Sequence, residues 1–458
     1  MELLLKNANI VTDKENYISD IYIADGIIKK IEKNIEIPNI KTIDIEGKYL
    51  IPGGIDVHTH FNIDVGIAKS VDDFYTGTVA AACGGTTTII DHMGFGPKGC
   101  SLHHQLEKYH EFAEKNAVID YSFHGVIQHI DNEILNEIDS MISDGIPSFK
   151  GYMTYDYKLS DKDMLKLSYK LSSSGGLLTV HPENNDIIDY LKNKFAAEGK
   201  LSPKYHRESR PSRCEGEAVN RMADITSVTD CPLYIVHLSC EEGLNHIKEA
   251  KDKGQKIFAE TCPQYLVLDE SCYSLPENEG LKYICSPPIR EKHHQEKLWE
   301  GIRKGYIQTV ATDHCSFNFS EQKLMGKDDF RKCPNGLPGV ETRVALMFSE
   351  GVSKGRIDIN KFVEVVSTNP AKLFGIYPQK GCIAAGSDAD LVVIDPKIRK
   401  KITKGELHEN TDYTPFENIE IIGCPVMTIS RGEIIVKDNK FIGQKGRGKF
   451  LKRKPFSY

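Results

Sequence analysis

The chain has 458 residues, 40% of them hydrophobic and 27% charged, enough to bury a large core and more than one compact core usually holds. A formal net charge of −7 removes any general attraction to nucleic acid or to an anionic membrane. No run of 18 apolar residues is present to span a bilayer, MELLLKNANIV lacks the charged start of a signal peptide, and twelve cysteines without a CxxC pair fit a reduced, cytoplasmic chain.

Residues 1 to about 50 read as short strands. LLLKNANIV, ISDIYIADGIIKKI and TIDIEGKYLI are rich in β-branched residues, and Asp25-Gly26 and Glu46-Gly47 mark tight turns. From about 54 to 370 strand-like runs alternate with amphipathic stretches. The runs are GIDVHTHF, TTTIIDH, VIDYSFHGVI, IPSFKGYM, GLLTVHPEN, PLYIVHLS, KIFAETCP and YIQTVATDH. Among the segments between them are VDDFYTGTVAAACG, SLHHQLEKYHEFAEKNA and EEGLNHIKEAKDKG. Eight strands with intervening helices predict a closed (β/α)8, TIM-like barrel. An open doubly wound sheet is the competing reading, but it would put fewer strand ends around one centre, and no GxxxxGKS loop supports a nucleotide fold. After Pro370 the chain returns to strands, in SDADLVVIDP and IEIIGCPVMTISRGEIIVKDNKFI. The economical architecture is α/β: a small β domain built from both termini (1–52 and 376–458) with the barrel (53–375) inserted.

Six residues at the C-terminal ends of predicted barrel strands are candidate metal ligands: His58, His60, Lys150, His181, His237 and Asp313. In a barrel that is the end where side chains from different strands converge. His58 and His60 are two apart, so on a strand they share a face. Any one of the six has an ordinary reading as a core histidine or a helix cap. That reading is hard to sustain for all six at once.

Lys150 is the odd member. A protonated ammonium is a poor neighbour for cations, whereas a lysine in apolar surroundings loses its proton. A neutral amine can take up carbon dioxide to give a carbamate, which serves as a long carboxylate bridging two ions. The ligand set suits two divalent metals, zinc first, with manganese, cobalt or iron as alternatives. Asp313 can bind a metal and also carry a proton from water to a leaving nitrogen. His92 and His314 flank the set as candidate orienting partners. His103, His104 and His110 fall on a predicted helix and read as ordinary helix-face residues, and Cys315 as packing.

At this point the sequence resembles a known family, the cyclic amidohydrolases, and within it the dihydropyrimidinase/hydantoinase group. The resemblance covers nearly the whole chain. It is carried by DVHTH (56–60), GGTTTIIDH (84–92), SFKGYMTY (148–155), VHPEN (180–184), VHLSC (236–240), CSPPIR (285–290), ATDHC (311–315), NGLPGVETR (335–343), GSDADLVVIDP (386–396) and the tail GRGKFLKRKPF. It implies that His58, His60, Lys150 and Asp313 hold the more buried metal and that Lys150, His181 and His237 hold the more exposed one. Tyr155 matches the residue that helps hold the oxyanion, and Ser286 and Asn335 match positions whose main chain holds a cyclic amide. The implied reaction is opening of a dihydropyrimidine or hydantoin ring to an N-carbamoyl amino acid. The implied assembly is a homo-oligomer, dimer or tetramer, with the tail packed over a neighbouring subunit.

Two features set this chain apart within the resemblance. The run after the first histidine pair, FNIDVGIAKS, has no arginine of the kind that clamps a carboxylated ring in dihydroorotases, and it lacks the group's usual leucine- and proline-containing stretch. Pro182 stands where alanine is usual. These changes bear on the ring substituent, for which segments 62–70 and 94–100 are the candidate pocket. Two other readings remain: a related cyclic amidohydrolase of allantoinase type, and a non-catalytic binding protein. A full ligand set speaks against the second.

Overall fold

The eight barrel strands form one parallel sheet in sequential order in the computed structural model, which describes residues 2–457. They are β1 (Gly54–Thr59), β2 (Thr86–His92), β3 (Asp120–Val126), β4 (Ser148–Tyr152), β5 (Leu177–His181), β6 (Leu233–Ile235), β7 (Ile257–Thr261) and β8 (Thr309–Val310). Every residue of these strands is buried, as a parallel sheet wrapped by helices requires. The seam between β8 and β1 is closed by a bridge from Thr59 to His314 and by His60 N–H donating to His314 C=O at 2.8 Å.

Local chemistry sets the helices between the strands. Phe74–Cys83 starts in a capping box, with Asp73 accepting from the Tyr75 and Thr76 amides while the Thr76 side chain returns a bond. Asp161–Ser174 ends on Gly175 in the left-handed conformation. The structure also contains a helix absent from the sequence expectation, Asn185–Ala197. It buries only Asn185 and Ile188 along its length, so its apolar periodicity is faint. Strands β6 and β8 are shorter than PLYIVHLS and YIQTVATDH suggest, because the chain turns away where His237 and Asp313 take positive φ, 40° and 53°.

The terminal strands make a second, nine-stranded sheet. Tyr49–Pro52 pairs antiparallel with Leu391–Lys401, Val392 opposite Ile51, and this joins the two ends of the chain. The inner face buries Leu5, Ile10, Ile21, Ile23, Leu391 and Ile429.

The tail runs as a strap across the N-terminal face of its own barrel. Leu451, Arg453, Lys454 and Phe456 donate their amides to the carbonyls of Tyr121, Gly145, Gly375 and Gly175. Gly448 passes so close to Ile119 that an added Cβ would lie 2.1 Å from its carbonyl oxygen. The Arg453 guanidinium is buried and donates to Ser122 Oγ (2.9 Å), Phe123 O (2.5 Å) and Ser148 Oγ (2.8 Å). Among the described residues no helix is long and apolar enough to cross a membrane.

Candidate metal centre

At the C-terminal mouth of the barrel, β1 carries His58 and the loop after β8 carries Asp313. His58 Nε2 and His60 Nε2 each lie 3.1 Å from Asp313 Oδ1, and the three ligand atoms all fall within 4.8 Å of one another. Thr312, next to Asp313, is anchored to Asp56 through both its amide (3.2 Å) and its hydroxyl (2.7 Å).

The protonation logic of this cluster calls for a cation. Glu260 Oε1 stands 2.6 Å from His58 Nδ1, and an ionised carboxylate only accepts, so Nδ1 carries the proton. A neutral His58 then turns the bare lone pair of Nε2 toward a carboxylate oxygen. Burial opposes charge on His58, yet Glu260 and Asp313 outweigh it and push the imidazole up to about 9. A proton or a metal must sit there. Two ring nitrogens and a carboxylate about 3 Å apart match the edge spacing of ligands around an ion bound at about 2.0–2.1 Å, so the residues fit a divalent metal.

A second pair lies beside the first. His181 Nδ1 and His237 Nε2 are 2.9 Å apart, and the His58 and His237 rings stack at 5.4 Å. Glu183 Oε2 takes the other side of His181 at 2.8 Å, leaving Nδ1 bare toward His237 by the same reasoning. His237 Nδ1 is buried without a partner. Glu183 is in turn held by Arg210 at 2.5 Å. Burial works against its charge, but Arg210 and His181 bring the carboxyl down to about 2.

Lys150 is the middle residue of β4, where the sequence pattern suggested the strand's end; it is buried and lines the same cavity. Its Nζ has no carboxylate within salt-bridge distance among the described residues and lies over the Tyr152 ring, 5.6 Å from the centroid. Burial lowers the amine to about 8, against the pull of Asp313 and Glu260. Tyr155 also lines the cavity, with φ +71°. Its ring meets His181 edge-on at 5.3 Å and the Arg210 guanidinium at 5.5 Å. Burial raises its phenol to about 12, which keeps it a hydrogen donor. Tyr155, His237 and Asp313 thus all hold left-handed backbone that costs of order 1–3 kcal/mol each.

The cavity measures about 940 Å³ and also reaches Ser286, Asn335, Ile63, Val65, Ile67 and Phe95. Phe95 stacks on Tyr157 at 4.0 Å and forms an aromatic wall. All nine expected site residues therefore line one cavity, and so do parts of both segments expected at the substituent pocket. His92 packs against the His58 ring at 4.4 Å and stacks on His124 at 4.1 Å. His314 donates to Asp72 at 3.0 Å. Glu260, Glu183 and Arg210, which orient the histidines, were not singled out in the sequence. The signal for Glu183 was its i+2 spacing from His181, and Glu260 sits inward on β7 in the otherwise apolar run IFAET.

The amidohydrolase family profile matches residues 49–435. The chain is 52% identical over 459 residues to a D-phenylhydantoinase of Escherichia coli O157:H7, spanning 100% of this chain and 99% of that protein. Its structure superimposes on the crystal structure of dihydropyrimidinase from Brevibacillus agri NCHU1002 with a TM-score of 0.99 at 43% identity, covering 100% of both chains. The L-hydantoinase (dihydropyrimidinase) from Arthrobacter aurescens matches at 30% identity with a TM-score of 0.91, over 98% of this chain and 99% of that one.

Proposed function

The chain belongs to the amidohydrolase family, and from that premise we propose that it hydrolyses the C–N bond of a cyclic amide, opening dihydropyrimidine or 5-substituted hydantoin rings to N-carbamoyl amino acids. The observation that carries this reading is the pair of adjacent ligand clusters, His58/His60/Asp313 and His181/His237, with a buried, proton-poor lysine in the same cavity.

His58, His60 and Asp313 would hold one divalent ion and His181 and His237 another, with zinc the metal best suited to both. Two imidazoles alone leave the second position short of a charged ligand. The neutral Lys150 amine would supply it by adding to carbon dioxide: an N–C bond forms, a proton leaves, and the resulting carbamate would serve as the charged ligand. Bound there, the ions acidify a water and polarise the scissile carbonyl.

The chain's own residues do the rest. Asp313 accepts the proton of the attacking water and returns it to the departing ring nitrogen. The Tyr155 hydroxyl donates to the carbonyl oxygen as negative charge gathers there. The main chain at Ser286 and Asn335 holds the ring amide. Ile63, Val65, Phe95 and Tyr157 offer an apolar and aromatic surface for a ring substituent.

The test is a ring-opening assay on protein reconstituted with zinc and bicarbonate. The panel is dihydrouracil, hydantoin, phenylhydantoin, allantoin and dihydroorotate. Opening of dihydrouracil or the hydantoins, with dihydroorotate untouched, supports the reading. Opening of allantoin alone moves the substrate to the allantoinase type. Silence across the panel with two metals bound sinks the ring assignment. The assembly proposed by resemblance, a dimer or tetramer, is read from light scattering of the same preparation.

A further inference from the structure

Lys323 is wholly buried, yet it does not line the cavity, and no carboxylate pairs with it among the described residues. Its ammonium donates all three protons to main-chain carbonyls: Ile284 O at 2.7 Å, Pro334 O at 2.8 Å and Gly336 O at 2.6 Å. Burying an unpaired charge is expensive unless every proton finds an acceptor, and here every proton does. The three carbonyls belong to two separate loops. Ile284 immediately precedes CSPPIR, and Pro334 and Gly336 bracket Asn335. Ile284 O also accepts from Gly336 N–H at 3.0 Å, so one carbonyl ties both loops to each other and to the lysine. A third segment is close as well: a Cβ on Gly336 would lie 2.5 Å from Cys315 O, in the stretch that follows β8.

We propose that Lys323 is a positioning residue for substrate recognition, a three-point clamp that sets the two loops presenting Ser286 and Asn335 to the ring. The physical link is the planar trans peptide, whose C=O and N–H point in opposite directions. Drawing Pro334 C=O onto the ammonium turns the Asn335 N–H the other way. Pro334 and Asn335 line the cavity and Lys323 does not, so the N–H faces the cavity side. It makes no hydrogen bond within the described chain and is free to donate to a ring carbonyl. The inference rests on the reading that Ser286 and Asn335 meet the substrate.

The test uses Lys323→Met, which keeps length and removes all three donors, and Lys323→Gln, whose amide reaches two carbonyls at most. Both are reconstituted with zinc and bicarbonate beside the wild type. Misplacement on the order of 1 Å costs up to about a hundredfold. The expected result is KM for hydantoin raised about tenfold or more in the Met variant and less in the Gln variant. Metal content stays at the wild-type level, and kcat falls less than KM rises. Amide exchange should quicken across 284–290 and 334–339 and stay unchanged in β1 to β8. If the Met variant does not fold, the Gln variant carries the same comparison. A folded variant with KM within twofold of wild type and unchanged loop exchange overturns the proposal. So does a loss confined to kcat that tracks metal loss. If the wild type binds metal but opens no ring, the proposed function fails, and the exchange comparison still decides whether the clamp exists.

Discussion

Glu260 holds His58 from below, Oε1 to Nδ1 at 2.6 Å, and the same oxygen accepts the His237 amide at 3.0 Å. One carboxylate therefore orients a histidine of the first cluster and the strained backbone of the second. Its other oxygen accepts from Tyr234 at 3.0 Å, so its own position is fixed.

Glu260→Gln puts an amide where a carboxylate enforced the His58 tautomer. Outer partners of metal ligands are worth about 10–100-fold in metal affinity or activity. We expect chelator titration to strip metal from this variant at a concentration lower by that factor. Metal retention equal to wild type would remove Glu260 from the account of the site.

Lys150→Ala should abolish ring opening, and a short carboxylic acid such as acetate should restore part of it by standing in for the carbamate. In protein stripped of metal and bicarbonate, the lysine titrates near 8 when folded against an ordinary 10.5. Between those values the unfolded chain binds more protons, so stability rises with pH across that window and is depressed uniformly below about pH 8. Denaturation of Lys150→Met in the same preparation should show a flatter profile there. At a fixed concentration of dissolved carbon dioxide, carbamate formation, which needs the neutral amine, should also increase as pH rises through about 8.

Tyr155→Phe removes the donor proposed for the developing oxyanion and leaves the packing against His181 and Arg210. The expected loss is about 10²–10³ in kcat, with metal content unchanged by elemental analysis. A smaller loss than tenfold would mean that the phenol does not face the reacting oxygen.

Arg453→Ala strips the strap of its buried anchor and leaves Phe123 O and two hydroxyls short of a donor. Unsatisfied buried groups cost about 1–3 kcal/mol each, so we expect destabilisation of about 2–4 kcal/mol in chemical denaturation. Ser148 Oγ also meets His124 Nδ1 at 2.7 Å, and His124 stacks under His92, so a modest loss of metal affinity should accompany it. A variant as stable as wild type would make the strap a surface ornament.

The sequence by itself determined the barrel and the residues that gather at its mouth, because both are written in local pattern. Apolar runs closed by a polar residue, as in GIDVHTH and GLLTVH, show a strand and the group at its end together. The two-residue spacing of His58 and His60 needs no partner to be read. The terminal sheet was equally legible from β-branched runs and turn dipeptides. What only the tertiary structure decided is pairing between distant segments. Glu260 is 202 residues from His58, Arg210 is one of many arginines until Glu183 is beside it, and Lys323 opens a single 3₁₀ turn too short to carry a periodicity. The strap is the same case: the resemblance sends GRGKFLKRKPF over a neighbouring subunit, yet it is bonded along its own barrel, with Leu451 and Arg453 buried, because Tyr121, Gly145, Gly175 and Gly375 offer it carbonyls. Strand and helix follow from neighbours in the chain. The charges that aim the site are stabilised only by partners that folding brings from elsewhere, and no local spacing records them.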